Sequence, residues 1–253
     1  MSQDEKITLL GHLKELRQRL IKVSIAVVIT TSISFFFYDW IFELLKKPAG
    51  DINLIFIDMT EGLATVMKVC LVSGLIIAMP YLIYHLLMFI LPALTSREKK
   101  MVFMVMPWIT LMFAGGVAFG YYILIPPATT FLLDFSGDIA EPQIRVGNYI
   151  GFVTRLLLSI GLVFETPVVT TFLARLGIID SKWLAKKRRM AIIFAFVLAA
   201  VITPTFDPIN QCLVAVPLII LYEMGVWLAK LVGKKKTASA AVSDETDIEA
   251  GEG

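Results

Sequence analysis

The sequence is poor in charged residues, and this shortage argues against a soluble protein. Only 17% of its 253 residues are charged and 57% are hydrophobic, with a mean hydropathy of +0.79. A soluble domain carries roughly 25% charged residues, so a water-soluble globular protein is not expected. The net charge of +2 is too balanced for a nucleic-acid-binding protein, whose signature is a concentrated basic face.

Cysteine and histidine are also scarce, which argues against a disulfide framework or a metal enzyme. Cys70 and Cys212 lie in separate apolar runs without a C-x-x-C spacing, and His12 and His85 form no H-E-x-x-H motif. His85 is predicted to be a hydrogen-bonded interfacial residue. The sequence contains no G-x-S-x-G motif, the serine motif that would indicate an intramembrane hydrolase. We therefore predict a protein that is not an enzyme and that needs no cofactor or metal.

Long hydrophobic runs make up most of the sequence. A helix needs about 20 apolar residues to cross a hydrocarbon core of roughly 30 Å. Six such runs bounded by charge are 21–38, 66–91, 101–127, 149–172, 190–203 and 209–228. The predicted fold is all-α, a polytopic membrane protein with six transmembrane helices in a membrane domain covering residues 21–228.

The distribution of lysine and arginine predicts the orientation of these spans. Most of these residues lie in 1–20, 92–100, 173–189 and the tail, whereas the opposite loops hold only Lys46, Lys47 and Arg145. Cytoplasmic loops carry the excess of Lys and Arg. Both termini are therefore expected to be cytoplasmic, in a bacterial cytoplasmic (inner) membrane.

The two ends of the chain have distinct compositions. In residues 1–20 apolar side chains recur at helical spacing, which predicts an amphipathic helix along the cytoplasmic surface. Residues 229–253 are basic and then small and acidic, with little to pack, so this tail is predicted to be disordered.

Glu165 is the most costly residue of the predicted spans, because a carboxylate inside a membrane costs a few kcal/mol and is functional by default. Pro167 cannot donate to the carbonyl of Val163, so the helix is expected to kink beside Glu165. The functional interpretation is a polar group facing a cavity or a passing polar chain. The alternatives are a neutral, hydrogen-bonded Glu and a proton-coupled secondary transporter that uses Glu165.

Two further carboxylates, Glu15 and Glu98, lie within the basic cytoplasmic segments. Each has cationic neighbours, so one interpretation is a solvated local ion pair of about 0 to 1 kcal/mol. The other is that the two together accept a guanidinium ligand, since carboxylates match the planar fork of arginine.

The run 190–203 is short for a transmembrane span. Its length of about 21 Å as a helix is roughly 9 Å less than the hydrocarbon core. Basic residues hold its inner end, so the deficit falls on the outer side near Thr203, Asp207 and Gln211. A partner helix with a matching polar residue would relieve the mismatch, which predicts a docking face on the last two spans.

Four motifs occur in order along the chain. They are His12-Leu-x-Glu15-Leu-Arg17-x-Arg19, Phe89-x-x-Pro92-Ala93-Leu94-x-x-x-Glu98, Phe164-Glu165-x-Pro167 and Thr203-Pro204. This order and spacing resemble the TatC family, the multispanning subunit of the twin-arginine protein translocase, over about residues 7–235. The resemblance implies a receptor that binds twin-arginine signal peptides of folded cargo.

The resemblance also implies roles for particular residues. Glu15 and Glu98 match the family's acidic signal-binding site, Arg17 and Phe89 its flanking positions, and Glu165 its buried glutamate. The implied partners are single-span subunits of the TatA and TatB type, and the chain is expected to form a homo-oligomer within a complex in the lipid bilayer. The rival transporter requires paired broken helices and a second buried ionisable group, which the sequence does not indicate.

Overall fold

The structure is a computed structural model that describes the backbone of residues 3–50, 54–90, 96–137, 143–203 and 207–249. Side chains are described for residues 11, 13–48, 50, 54–89, 102–132, 143–203 and 207–232. The chain divides into two compact units, Met1–Ile160 and Gly161–Gly253.

Helices make up nearly all of the first unit. In order these are α1 (Gln3–Phe36), α2 (Tyr38–Lys46), a 3-10 turn (Lys47–Ala49), α3 (Glu61–Ile90), α4 (Ser96–Phe119), a π-helical turn (Gly120–Leu124), α5 (Ile125–Gly137) and most of α6 (Val146–Phe164). Two short strands, β1 (Leu54–Ile55) and β2 (Ile144–Arg145), pair in parallel, with Leu54 opposite Ile144.

The second unit holds the end of α6 and four further helices. They are α7 (Thr166–Leu176), α8 (Ser181–Lys186), α9 (Arg188–Ile202) and α10 (Pro208–Glu249). Helix α10 packs along α7 and contacts α8 and α9. The Tyr222 hydroxyl on α10 donates to the Leu184 carbonyl on α8 at 2.8 Å, and Arg188 on α9 forms an ion pair with Glu223 on α10.

Five helical stretches of the described chain are long and apolar enough to cross a membrane. They are Leu13–Phe36, Glu61–Phe89, Val102–Leu132, Val146–Leu176 and Pro208–Val232. The predicted class, a polytopic all-α membrane protein, is confirmed. The count of six stays a prediction, because α9 has only 15 residues, about 22 Å of helix.

Long helices occupy both chain ends, and the expected surface helix in residues 1–20 and disordered tail in residues 229–253 stay predictions. Helix α1 runs unbroken from Gln3 to Phe36 instead of separating a surface helix from a span, and no proline lies at the expected junction near Leu20. Helix α10 continues to Glu249 through the segment expected to be disordered. Alanine and lysine there are strong helix formers, whereas residues 250–253 lie outside the described chain.

Helices α1 and α3 meet closely at Gly74. The Thr30 hydroxyl donates to the Gly74 carbonyl at 2.8 Å, and a Cβ added to Gly74 would lie 2.5 Å from Thr31 Oγ1 and 2.6 Å from its Cα. Small residues allow this approach of two backbones in a membrane. Elsewhere α1 is little covered, since Ser34 is its one buried side chain among those described.

Hydrogen bonds and ion pairs hold the start of α3 against the segment that leads into α6. Glu61 accepts from the backbone N–H groups of Ile57 and Gly147, both at 3.0 Å. Arg145 pairs with Asp58 and, at 3.4 Å, with Glu61, and the Asp58 hydrogen bond raises the pKa of Arg145 further above its usual value. These contacts tie the start of α3 to the start of α6.

Candidate functional site

The pairing of α1 with α3 places the start of one helix beside the end of the other. The two helices cross at Thr31 and Gly74, and the charges of Arg19 and Lys22 act on His85, as expected for an antiparallel pair. Glu15 lies 16 residues before Thr31, and Phe89 lies 15 residues after Gly74. At equal rise per residue, Glu15 and Phe89 therefore lie at the same level.

Helix α4 reaches the same level. The ring centroids of Tyr84 on α3 and Phe103 on α4 are 5.5 Å apart. Glu98 lies five residues before Phe103, and Phe89 five residues after Tyr84, so the antiparallel hairpin sets Glu98 level with Phe89. The side chain of Glu98 lies outside the described residues. We name this end of the first unit, formed by Glu15, Arg17, Phe89 and the first turn of α4, the acidic end.

Glu15 already binds a guanidinium. Its Oε1 accepts from Arg19 Nε at 3.0 Å and also from Arg19 Nη2. The Glu15 side chain is 36% exposed and that of Arg19 is 19% exposed. The local ion pair considered from the sequence is thus present, yet Glu15 remains accessible. Arg17 is exposed, and Phe89 is half-buried.

Glu165 lies at the break between α6 and α7, where Pro167 interrupts the helix as predicted. Its backbone N–H bonds to the Leu162 carbonyl at 3.2 Å, a tighter turn than that of an α-helix. The side chain is 3% exposed, and neither carboxylate oxygen has a hydrogen-bond partner among the described residues. The carboxyl is therefore enclosed by the described chain, and a polar concavity facing Glu165 stays a prediction.

This enclosure leads to a prediction for stability and transport. A buried polar group without a partner destabilises the fold by about 1 to 3 kcal/mol. We expect Glu165→Leu to raise the melting temperature of the purified chain. In the translocase that the motifs resemble, Leu is expected to impair protein transport, and Glu165→Gln is expected to retain more of it. Thermal unfolding and a transport assay measure the two effects, with the exposed Glu43 changed to Leu as control. Normal transport by Glu165→Leu would show that the carboxyl is dispensable.

Most polar side chains between α9 and α10 hydrogen-bond within the described chain, although Asn210 Oδ1 is buried without a partner there. The Thr203 hydroxyl donates to the Ala199 carbonyl at 2.9 Å, and Gln211 Nε2 donates to the Phe196 carbonyl at 3.0 Å. Asp207 caps α10 by accepting from the Asn210 N–H at 2.7 Å. These bonds remove part of the reason for which the sequence predicted a partner helix here.

An apolar groove nevertheless lies next to this turn. It is lined by Ile192, Ile193, Phe196, Val197, Ala200, Val201 and Gln211. Ile193, Val197 and Val201 are largely exposed, at 60%, 56% and 67%. Gln211 is the one polar residue in this lining, and polar side chains can hydrogen-bond across helices in a membrane.

Sequence reasoning missed two features. His85 is 8% exposed, and neither ring nitrogen has a partner among the described residues, so its prediction as a hydrogen-bonded interfacial residue is wrong. The pairing of Glu61 with Arg145 joins the start of α3 to β2, two segments far apart in sequence. Opposite charges in the two segments were the only available signal. No group of three or more potential metal ligands occurs within the described part of the chain.

These observations define a class, a polytopic helical membrane protein in which Glu15, Phe89 and the first turn of α4 lie at one end of the first unit. The chain belongs to the TatC family, described as "Sec-independent protein translocase protein (TatC)", whose sequence pattern matches residues 11–217. It is accordingly a translocase subunit.

Relatives and solved structures agree with this assignment. The chain is 39% identical over 236 residues to the Sec-independent protein translocase protein TatC of Carboxydothermus hydrogenoformans, covering 92% of this chain and 97% of that protein. It is 40% identical over 231 residues to TatC of Aquifex aeolicus, covering 89% and 95%. A crystal structure described as "Twin Arginine Translocase Receptor- TatC" matches with a TM-score of 0.78 at 39% identity, covering 87% of this chain and 99% of that one.

Proposed function

We propose that this chain is the receptor subunit of the twin-arginine translocase, which binds the twin-arginine signal peptides of folded proteins and nucleates assembly of the translocon. The observation that carries the proposal is the acidic end, where the accessible Glu15 carboxylate lies level with Phe89 and with the turn that contains Glu98. A guanidinium is the ligand that such carboxylates bind best.

The Arg19 contact suggests how the signal binds. An i,i+4 ion pair on an exposed helix surface contributes only about 0.3 to 0.5 kcal/mol. An arginine of the signal that reaches both Glu15 and Glu98 gains charge-assisted hydrogen bonds of about 1.5 to 3 kcal/mol. The incoming guanidinium therefore displaces Arg19 from Glu15, and Arg17 and Phe89 flank the bound peptide.

The proposed orientation places the acidic end in the cytoplasm. The excess of lysine and arginine in the segments near both termini supports termini on the cytoplasmic side of a bacterial inner membrane. A positively charged surface would repel a twin-arginine peptide unless carboxylates cancel the field locally. Glu15 and Glu98 supply that negative charge.

Photocrosslinking tests the proposed site. A photoreactive phenylalanine analogue in place of Phe89 is expected to capture a peptide with two consecutive arginines, and the same peptide with two lysines is expected to escape. Phe37, exposed at the far end of α1, is the control position. Equal capture at positions 89 and 37, or equal capture of both peptides, would contradict the proposal.

The groove beside Gln211 is the proposed docking face for a single-span subunit of the TatA or TatB type, with Thr203, Asp207 and Gln211 at its polar edge. A transmembrane helix fits an apolar groove with one polar residue, and it would cover the short helix α9. Copies of this chain are proposed to assemble together within the complex.

Disulfide formation tests this docking face. In a chain whose exposed Cys212 is changed to Ser, we expect Gln211→Cys to crosslink under oxidation to a cysteine in the outer half of the partner's helix. Leu111→Cys, exposed on α4, is the matched control and is expected to remain uncrosslinked. Crosslinking of Leu111→Cys without crosslinking of Gln211→Cys would contradict this proposal and would assign the docking face to the first unit.

A proton-coupled transporter is the less favoured function. Proton coupling requires a carboxyl that exchanges protons with a neighbouring group or with water. Both Glu165 oxygens are enclosed and contact no polar partner in the described chain.

A further inference from the structure

His85 is a buried polar residue that has no role in the signal-binding site proposed above. Its side chain is 8% exposed, and neither Nδ1 nor Nε2 has a hydrogen-bond partner among the described residues. The ring lies edge-on to Tyr81, with centroids 4.4 Å apart, and to Tyr84, at 5.3 Å. A buried donor and acceptor that stay unpaired destabilise a fold, so the position calls for a ligand.

The position of His85 relates it to the acidic end. It precedes Phe89 by four residues on α3, which is about 6 Å along the helix, and the charges of Arg19 and Lys22 on α1 act on it. His85 therefore lies one turn deeper in the membrane domain than the level of Glu15, Phe89 and Glu98, on the side of α3 that faces α1.

Helix α1 is the element that a ligand would displace to reach this ring. It is fixed to α3 at Gly74 by the Thr30 hydrogen bond, whereas its residues from Leu13 to Lys22 are exposed or half-buried wherever they are described. The contact with α3 can therefore open at the acidic end without loss of the crossing point at Gly74.

We propose that His85 is a positioning residue for the signal peptide and hydrogen-bonds its backbone about two residues beyond the arginines. This inference rests on the proposed function. A signal peptide continues from its basic segment into an apolar segment, so the chain that leaves the acidic end runs deeper along α3. An extended peptide advances about 3.3 Å per residue and covers the 6 Å in two residues. A neutral imidazole offers one donor and one acceptor, which match a peptide N–H and carbonyl.

Two substitutions separate this role from a structural one. His85→Phe keeps an aromatic ring and removes both nitrogens, and His85→Gln keeps a donor and an acceptor. We expect Phe to weaken binding of the twin-arginine peptide about five- to tenfold and to leave the melting temperature of the full chain unchanged or higher. Gln is expected to retain most of the affinity.

A peptide with an ester in place of the amide two residues after the arginines tests the contact itself. The ester removes the N–H and weakens the carbonyl acceptor. It is expected to cost several-fold in affinity with the wild-type chain and nothing with His85→Phe. An equal ester cost in both chains, or a lower melting temperature for His85→Phe, would overturn the inference.

The failure of this inference differs from a failure of the proposed function. If the wild-type chain binds the twin-arginine peptide no better than the twin-lysine peptide, the proposed function fails. If that preference holds in the wild type and His85→Phe binds as tightly as the wild type, only the role of His85 fails.

Discussion

Replacement of Glu15 with lysine is expected to lower the affinity for a twin-arginine peptide roughly a hundredfold or more. The change removes charge-assisted hydrogen bonds of about 1.5 to 3 kcal/mol, where 1.4 kcal/mol is a factor of ten, and it adds repulsion between like charges. Glu98→Lys is expected to have a similar effect. Titration of a labelled peptide at fixed salt measures the loss.

The control for charge reversal is Glu43→Lys. Glu43 is exposed on α2, which follows the far end of α1, so its reversal changes the net charge equally without touching the acidic end. We expect its affinity to remain near that of the wild type. An equal loss for Glu43→Lys and Glu15→Lys would assign the effect to the overall field of the protein.

The second large effect is expected at the crossing of α1 with α3. Gly74→Leu places a side chain where even a Cβ would lie 2.6 Å from the Thr31 backbone. Overpacking costs typically 1 to 3 kcal/mol, and a rigid backbone cannot yield as a flexible side chain does. We expect α1 to separate from α3 and the melting temperature of the purified chain to fall by many degrees.

Gly115→Leu is the matched control for this substitution. Gly115 lies inside α4, and a Cβ added there would meet nothing within 4 Å. Both variants introduce the same side chain into an apolar helix, so only Gly74→Leu is expected to destabilise the protein and to lose the peptide. Equal stability of the two variants would show that the close approach at Gly74 is not required.

Much of the architecture follows from local sequence. Apolar runs bounded by charge predict the membrane spans, and the missing N–H of Pro167 predicts the break at Glu165, because both effects depend on neighbours in the chain. The ion pair of Glu15 with Arg19 is also predictable from the sequence, as the local alternative to a bound guanidinium ligand, because residues four apart share a helix face.

The remainder depends on contacts between distant segments. The common level of Glu15, Phe89 and Glu98 follows from two helix pairings, which the Gly74 crossing and the Tyr84 contact with Phe103 define. The enclosure of His85 has the same origin, and a single sequence without the register of its helices cannot indicate it. The short helix α9 was foreseen from its length, but the internal hydrogen bonds of Thr203 and Gln211 were not.

A double-mutant cycle between the receptor and its peptide tests the central claim most directly. The affinity ratio between twin-arginine and twin-lysine peptides is measured for the wild-type chain and for the double variant Glu15→Gln, Glu98→Gln. We predict a ratio of at least tenfold for the wild type and a ratio near one for the double variant, because the two carboxylates distinguish guanidinium from ammonium. The same ratio in both chains would contradict the account.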